Sequence, residues 1–335
     1  MCRPVPILIL LFAAIPVFSQ DKVGTTAAPF LGIGAGARAI GMGGAFSAVA
    51  ADPSALYWNP AGISRNGKTE VLLERTNYLL GTKYNYFAAV LALDENNAVG
   101  LSVTNLAYGE DLVTSVENPD GTGEKWSASD WAMDITYSRN LSDRFSIAGT
   151  GKMVVQRIWR ESATGWALSA GLLYITPFND LKIGMSIANF GTDMQLAGED
   201  LFVTNDPDPS IKGNNKKIPA ELQTNSYPLP LLFRIGFAMD LISSDEGRIT
   251  LAADALHPSD NAQSVNVGAE FSWNKLLFAR VGYKSMFLTD REGGFTVGGG
   301  LVYDISSRFR LKLDYAYQDY GLLNNIQKFA VSVGF

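Results

Sequence analysis

The 335-residue sequence holds a single cysteine, Cys2, and a single histidine, His257. One thiol cannot build a disulfide framework, and one thiol with one imidazole leaves no Cys/His set for a metal. His257 stands before Pro258 at what reads as a strand end, with no partner for a nucleophilic triad of the usual kind. Positive charge is also scarce: 27 basic against 33 acidic residues give a net charge of −6, without the basic surplus that nucleic-acid binding requires. Past the N-terminus, no stretch approaches the roughly twenty apolar residues of a membrane-spanning helix. Gly32-Ile33-Gly34-Ala35-Gly36-Ala37 follows no strand and opens no βαβ unit, and Gly149-Thr150-Gly151-Lys152 lacks the spacing of a phosphate-binding loop. Asp206-Pro207-Asp208 could offer oxygens to calcium, but reads first as a solvated turn. The reading is a non-enzyme with no cofactor and no metal.

What is present is apolar residues, 47 % of the chain, in two arrangements. Residues 1–19 read as a cleaved signal peptide: Arg3, an apolar Ile7–Pro16, then Val17-Phe18-Ser19 before Gln20-Asp21. Cys2 precedes the apolar run, so it is not a lipoprotein anchor. From about residue 67 to the end, apolar residues alternate with charged or tiny ones. Phe309, Leu311, Leu313, Tyr315 and Tyr317 oppose Arg308, Arg310, Lys312, Asp314 and Gln318; Phe329, Val331, Val333 and Phe335 oppose Lys328, Ala330, Ser332 and Gly334. The same holds for Leu231–Asp240 and Ser264–Phe271. About fourteen such segments can be counted, near 68–80, 83–94, 96–107, 127–139, 143–158, 162–176, 181–190, 229–241, 247–257, 263–272, 276–286, 293–303, 308–319 and 325–335. A soluble sandwich would also alternate, but its outward face would be mostly charged. Here that face is rich in Gly, Ala and Ser, as a crowded lumen requires.

The fold class expected is therefore all-β: a transmembrane antiparallel β-barrel of about fourteen strands in the bacterial outer membrane. Alternate connections are short and turn-like, and the two long ones, 108–126 and 191–228, belong to the other set, as periplasmic turns and outer loops should. Both long loops read as polar. Tyr78, Trp131, Tyr137, Trp159, Tyr174, Phe271, Trp273, Tyr283, Tyr303, Phe309, Tyr317 and Phe335 fall near strand ends, where interface girdles sit. In the C-terminal half, the alternation turns Arg234, Asp240, Arg248, Asp254, Glu270, Arg280, Lys284, Arg310, Lys312 and Asp314 into the lumen. The segment 83–94 is apolar on both faces, and 83–107 could line a side opening.

Residues 20–66 break the alternation. They are rich in small residues and run through Ala37-Arg38-Ala39-Ile40-Gly41-Met42-Gly43-Gly44-Ala45, then Ala51-Asp52-Pro53-Ser54-Ala55, then Trp58-Asn59-Pro60-Ala61-Gly62. The glycines permit close backbone approach inside a narrow lumen. Asp52 can cap a short helix with Pro53 at its first position, and Asn59-Pro60 sets an extended or turn geometry where the segment hands over to the first strand. Arg38 and Asp52 are the candidates for ionic contact with the wall, since an isolated charge there would be costly.

These motifs resemble the N-terminal hatch of FadL-like outer-membrane barrels, and more closely the PorV/PorQ family. The resemblance covers the whole mature chain: a hatch over 20–66, a barrel over 67–335, and a terminal Phe335 like the signal read by barrel-assembly machinery. It marks Arg38, Gly41, Gly43, Gly44, Asp52, Pro53, Trp58, Asn59, Pro60 and Ala61 as the hatch motif. It implies outer-membrane lipid as surroundings and a role in protein secretion, docking a secretion translocon or secreted cargo. The alternative it leaves open is a channel for small hydrophobic molecules, gated by the hatch. The polar loops and the inward charges of both signs fit docking better than a greasy tunnel.

Overall fold

The computed structural model describes residues 22–208, 210, 217–244, 246–288, 293–306 and 308–335. The signal expected over 1–19 lies outside them. Fourteen antiparallel strands form the wall: β1 (Glu70–Asn77), β2 (Lys83–Ala92), β3 (Asn97–Leu112), β4 (Lys125–Ser142), β5 (Phe145–Ile158), β6 (Glu161–Ile175), β7 (Lys182–Gly191), β8 (Leu232–Ser243), β9 (Gly247–Pro258), β10 (Ser264–Trp273), β11 (Leu277–Met286), β12 (Phe295–Asp304), β13 (Arg310–Asp319) and β14 (Asn325–Gly334). Each pairs with its neighbour in the chain. β1 also pairs with β14, from Glu70 opposite Gly334 to Asn77 opposite Gln327, and this closes the ring. Closure leaves no strand edge to pair with another chain.

Alternation decides which side chains face where. Along β4, Asp130, Ala132, Asp134, Thr136 and Ser138 are buried inside, while Trp131, Met133, Ile135 and Tyr137 are exposed outside. Exposed Leu, Ile, Phe and Trp around the ring would be an aggregation hazard in water; in a bilayer they are the lipid-facing band. Phe335 extends β14, its N–H donating to the Thr69 carbonyl, and its ring lies 5.4 Å from that of Phe309 among outward aromatics at the short-turn end. Tyr78 departs from the expected girdle. It packs against the hatch core and its hydroxyl lies 3.5 Å from that of Tyr320.

Two further expectations are corrected. The strands at 83–107 do not open sideways: β2 and β3 pair without a break from Lys83 opposite Ala107 to Ala92 opposite Ala98, and Tyr84 and Tyr86 fill the lumen behind them. The long loops are less polar, and one is shorter, than the sequence suggests. β3 and β4 extend until only 113–124 remains between them. The 192–231 connection forms a two-stranded hairpin, Phe202–Asn205 with Ile218–Glu221, and exposes Phe202, Ile218 and Leu222.

Candidate functional site: the hatch and the wall that holds it

The hatch fills the lumen with short elements: a 3₁₀ turn Pro29–Gly32, helices α1 (Ala37–Gly41) and α2 (Ala55–Trp58), a 3₁₀ turn Pro60–Gly62 and helix α3 (Ile63–Asn66). Most of its side chains from Ala35 to Ser64 are buried. It fits because both surfaces are stripped of side chains where they meet. Gly41 lies against Gly298, and a β-carbon at wall positions 184, 268 or 282 would collide with hatch backbone at Ser47, Met42 or Gly43. Gly43 itself has φ 67°, and a side chain there would meet the backbone of Tyr283, so only glycine suits the position. Gly44, with φ 74°, packs under the Trp58 ring.

One sector of the wall holds the hatch with charge. Arg38 of α1 forms a two-pronged bond to Glu270 on β10, Nε and Nη2 each 2.9 Å from a carboxylate oxygen, and also reaches Asp52 at 3.1 Å. Glu270 is shared with Arg280 on β11 at 2.7 Å, and Arg280 continues to Asp314 on β13 at 2.6 Å. Burial works against the Arg38 charge, yet attraction to Glu270 and Asp52 holds its pKa above the ordinary arginine value. At the β1–β14 seam, Lys328 of β14 donates to the Gly34 carbonyl and, across the seam, to Glu74 of β1, both at 2.8 Å, and lies over the Tyr84 ring. Asp254 on β9 accepts the backbone N–H groups of Phe46 and Ser47, and Arg234 on β8 covers the rings of Tyr57 and Trp58 and donates to the Tyr57 carbonyl.

The opposite sector, β3 to β7, uses neutral groups. The Asn59 amide donates to the carbonyls of Ser47 and Leu172, and its oxygen accepts from Ala61 N–H, which caps the Pro60–Gly62 turn. Ser186 donates to the Trp58 carbonyl, while Trp58 donates its indole N–H to Ala35. Ser64 donates to Asn140, and Ser138 to Ser64. Arg65 donates to the Ser146 hydroxyl at 2.5 Å and to the carbonyls of Ser142 and Asp143.

The ten inward charges therefore divide. Arg234, Asp254, Glu270 and Arg280 are buried, and all four touch the hatch or a residue that does. Lys312 pairs with Glu70 at 2.8 Å beside a cavity of about 160 Å³ that Arg38, Asp52, Arg248 and Asp314 also line. Asp240, bonded by Thr250, and Arg310, paired with Asp304, sit at the short-turn rim and not against the hatch. Lys284 lies in a β-bulge of β11, where Asn266 accepts from Ser285 N–H and donates to the Gly44 carbonyl. Asp52 is corrected in detail: it pairs within the hatch to Arg38, not to the wall, and its other oxygen accepts from Ser54 N–H at 2.9 Å. The helix accordingly begins at Ala55, two residues past Pro53, and α3 intervenes between Asn59-Pro60 and β1. Asp206, Pro207 and Asp208 form an Asx-type turn, with Asp206 accepting from Asp208 N–H; among the described residues no acidic or histidine cluster could hold a metal. The inward charges above leave out Lys328 and Glu70, which touch the hatch at Gly34 and Asn66, and Glu74, which pairs with Lys328, though their own alternation points them inward.

A closed fourteen-strand barrel with an apolar outer band and a folded N-terminal hatch is an outer-membrane β-barrel with the fold of the FadL-like proteins. Solved structures agree on the fold: the CymD monoaromatic hydrocarbon channel (TM-score 0.54, 12 % identity, covering 90 % of this chain and 96 % of that one), the P. putida toluene transporter TodX (0.54, 14 %, 90 % and 96 %) and a Pseudomonas aeruginosa FadL homologue (0.53, 13 %, 95 % and 99 %). No curated protein sequence matches the chain. Within that class the chain belongs to the PorV family, since the family of the type IX secretion system protein PorV matches residues 17–257, hatch and barrel through β9.

Proposed function

We propose that this barrel is a docking component of protein secretion, presenting its outer loops to a secreted or translocating protein while the hatch stays in place. The observation that carries the reading is the hairpin Phe202–Asn205/Ile218–Glu221, which leaves Phe202 64 % and Leu222 53 % exposed beyond the membrane band. Exposed apolar side chains on both faces of a water-facing loop, Phe202 on one and Ile218 with Leu222 on the other, suit a protein partner. Family membership supports the same role. The channel reading draws on the fold shared with hydrocarbon transporters. Against it stand the two-pronged Arg38–Glu270 bond and the seven charged side chains that line the cavity between hatch and wall, neither of which suits a gate for greasy molecules.

The test is purification from native outer membranes in mild detergent, with mass spectrometry of everything retained. A stoichiometric protein companion is expected, and the double substitution F202S/L222S should release it while leaving barrel assembly unchanged. A lone barrel carrying a hydrophobic small molecule would favour the channel.

A further inference from the structure

The apolar band is uneven around the ring. Facing lipid, β12 carries Phe295, Val297, Gly299, Leu301 and Tyr303 in succession, without a charged or amide side chain. β1 carries only Val71 and Leu73 before Arg75 and Asn77. The register assembles a polar notch around them. Arg75 lies opposite Asn85 on β2 and Phe329 on β14; Asn85 lies opposite Asn105 on β3; Asn77 lies opposite Lys83 and Gln327. Asn85 donates to Asn105, but among the described residues Arg75 has neither an ion pair nor a hydrogen bond from its guanidinium.

Depth makes that unusual. Phe329 is six residues from Phe335, which at roughly 3.3 Å per residue and a tilt of about 40° is about 15 Å of depth, in an apolar band about 25 Å tall. Arg75, level with Phe329, is therefore below the outer edge of the band, where an outward charge destabilises a barrel unless polar groups come to meet it. Its long stem lets the guanidinium reach toward the outer interface. A groove of about 500 Å³ is lined by Arg75, Asn77, Asn325, Gln327 and Phe329. Adjoining it, a groove of about 610 Å³ shares Arg75 and Phe329 but runs down over Leu73, Phe87, Val103 and Val331. Trp131 stands at its side. The outward acid Asp319, opposite Asn325, accepts from Gly321 N–H, and the residues of the notch itself bring the positive charges of Arg75 and Lys83.

We propose that this notch on the β14–β1–β2–β3 wall binds a phosphorylated glycolipid of the outer leaflet. A guanidinium matches phosphate with two parallel hydrogen bonds. The amides of Asn85, Asn105 and Gln327 suit sugar hydroxyls, Trp131 and Phe329 offer ring faces, and the apolar floor takes an acyl chain. A site for phosphate alone would need neither the amides nor the floor.

The experiment uses the full chain in phosphatidylethanolamine nanodiscs, titrated with bisphosphorylated lipid A and read by native mass spectrometry after transfer to mild detergent. One lipid A should remain per barrel. R75Q should weaken retention about tenfold or more, the loss expected when a charged hydrogen-bond donor is removed. N85L should weaken it less, and I187A on the far wall should not. Removing a lipid-facing charge leaves folding intact, which the unchanged heat-modifiable mobility of R75Q would verify, with N85L as the second variant. Equal retention by wild type and R75Q overturns the proposal. So does equal, Arg75-dependent retention of phosphatidylglycerol, which would make the ligand any anionic phospholipid. A photocrosslinker at position 85 that captures a protein in native outer membranes, and no lipid, would overturn it as well.

Discussion

The two sides of the lumen hold the same hatch by different chemistry. From β10 round to β1, buried charges of both signs converge on Arg38 and on the Gly34 carbonyl. From β3 to β7, hydroxyls, amides and bare glycines meet hatch backbone, with Arg65 donating to neutral oxygens. The difference is one of tolerance. Each neutral contact is a modest net gain that can be lost singly. The ionic sector works only as a whole, because each charge left without its partner is stranded out of water.

That contrast can be broken at its centre. Glu270→Ala leaves Arg38 with Asp52 alone and Arg280 with Asp314 alone, and should cost about 3–5 kcal/mol, the range for removing one partner of a buried pair. Urea unfolding of the reconstituted barrel measures it, and trypsin should then cut after Arg38 in the otherwise intact barrel. A loss under 1 kcal/mol would mean that the ionic sector is no lock. Gly282→Val tests the bare surface at the edge of that sector. The new side chain meets Gly43 backbone, which cannot move aside as a side-chain tip can; overpacking of this kind costs about 1–3 kcal/mol. The hatch should become protease-sensitive while β-sheet circular dichroism is retained.

On the neutral side, Asn59→Ala removes the donor shared by Ser47 and Leu172 and should cost about 1–3 kcal/mol, by the same unfolding measurement. A cost as large as that of Glu270→Ala would erase the contrast. The smallest effect is expected at the rim. Arg310→Gln removes a pair with Asp304 whose side chains are 40 % and 59 % exposed, and should leave the urea midpoint nearly unchanged, with any shift vanishing at high salt.

Much of this was legible in the residues. A period of two, sustained over fourteen segments with short turns at one end, leaves a closed membrane barrel as the arrangement that satisfies every backbone group in lipid. The strands fall within a few residues of the expected segments because turn residues such as Asn96-Asn97 and Asn274-Lys275 mark the ends locally. Glu270 and Arg280 were marked as inward by their neighbours alone. Glu70 and Glu74 were harder to see, since β1 has eight residues and its outward face turns polar at Arg75. The apolar loop hairpin was hidden because Phe202, Ile218 and Leu222 are scattered among Asn, Asp and Lys, and only strand pairing brings Ile218 and Leu222 to one face and Phe202 to the other.

Local pattern thus determined the barrel, the inward and outward faces and the existence of a glycine-rich hatch, because alternation and backbone freedom are properties of adjacent residues. Which charges meet was decided by closure. Arg38 and Glu270 are 232 positions apart, the other wall partners of the hatch are also remote in the chain, and they become neighbours only once β1 pairs with β14 and fixes how the ring stands around its plug.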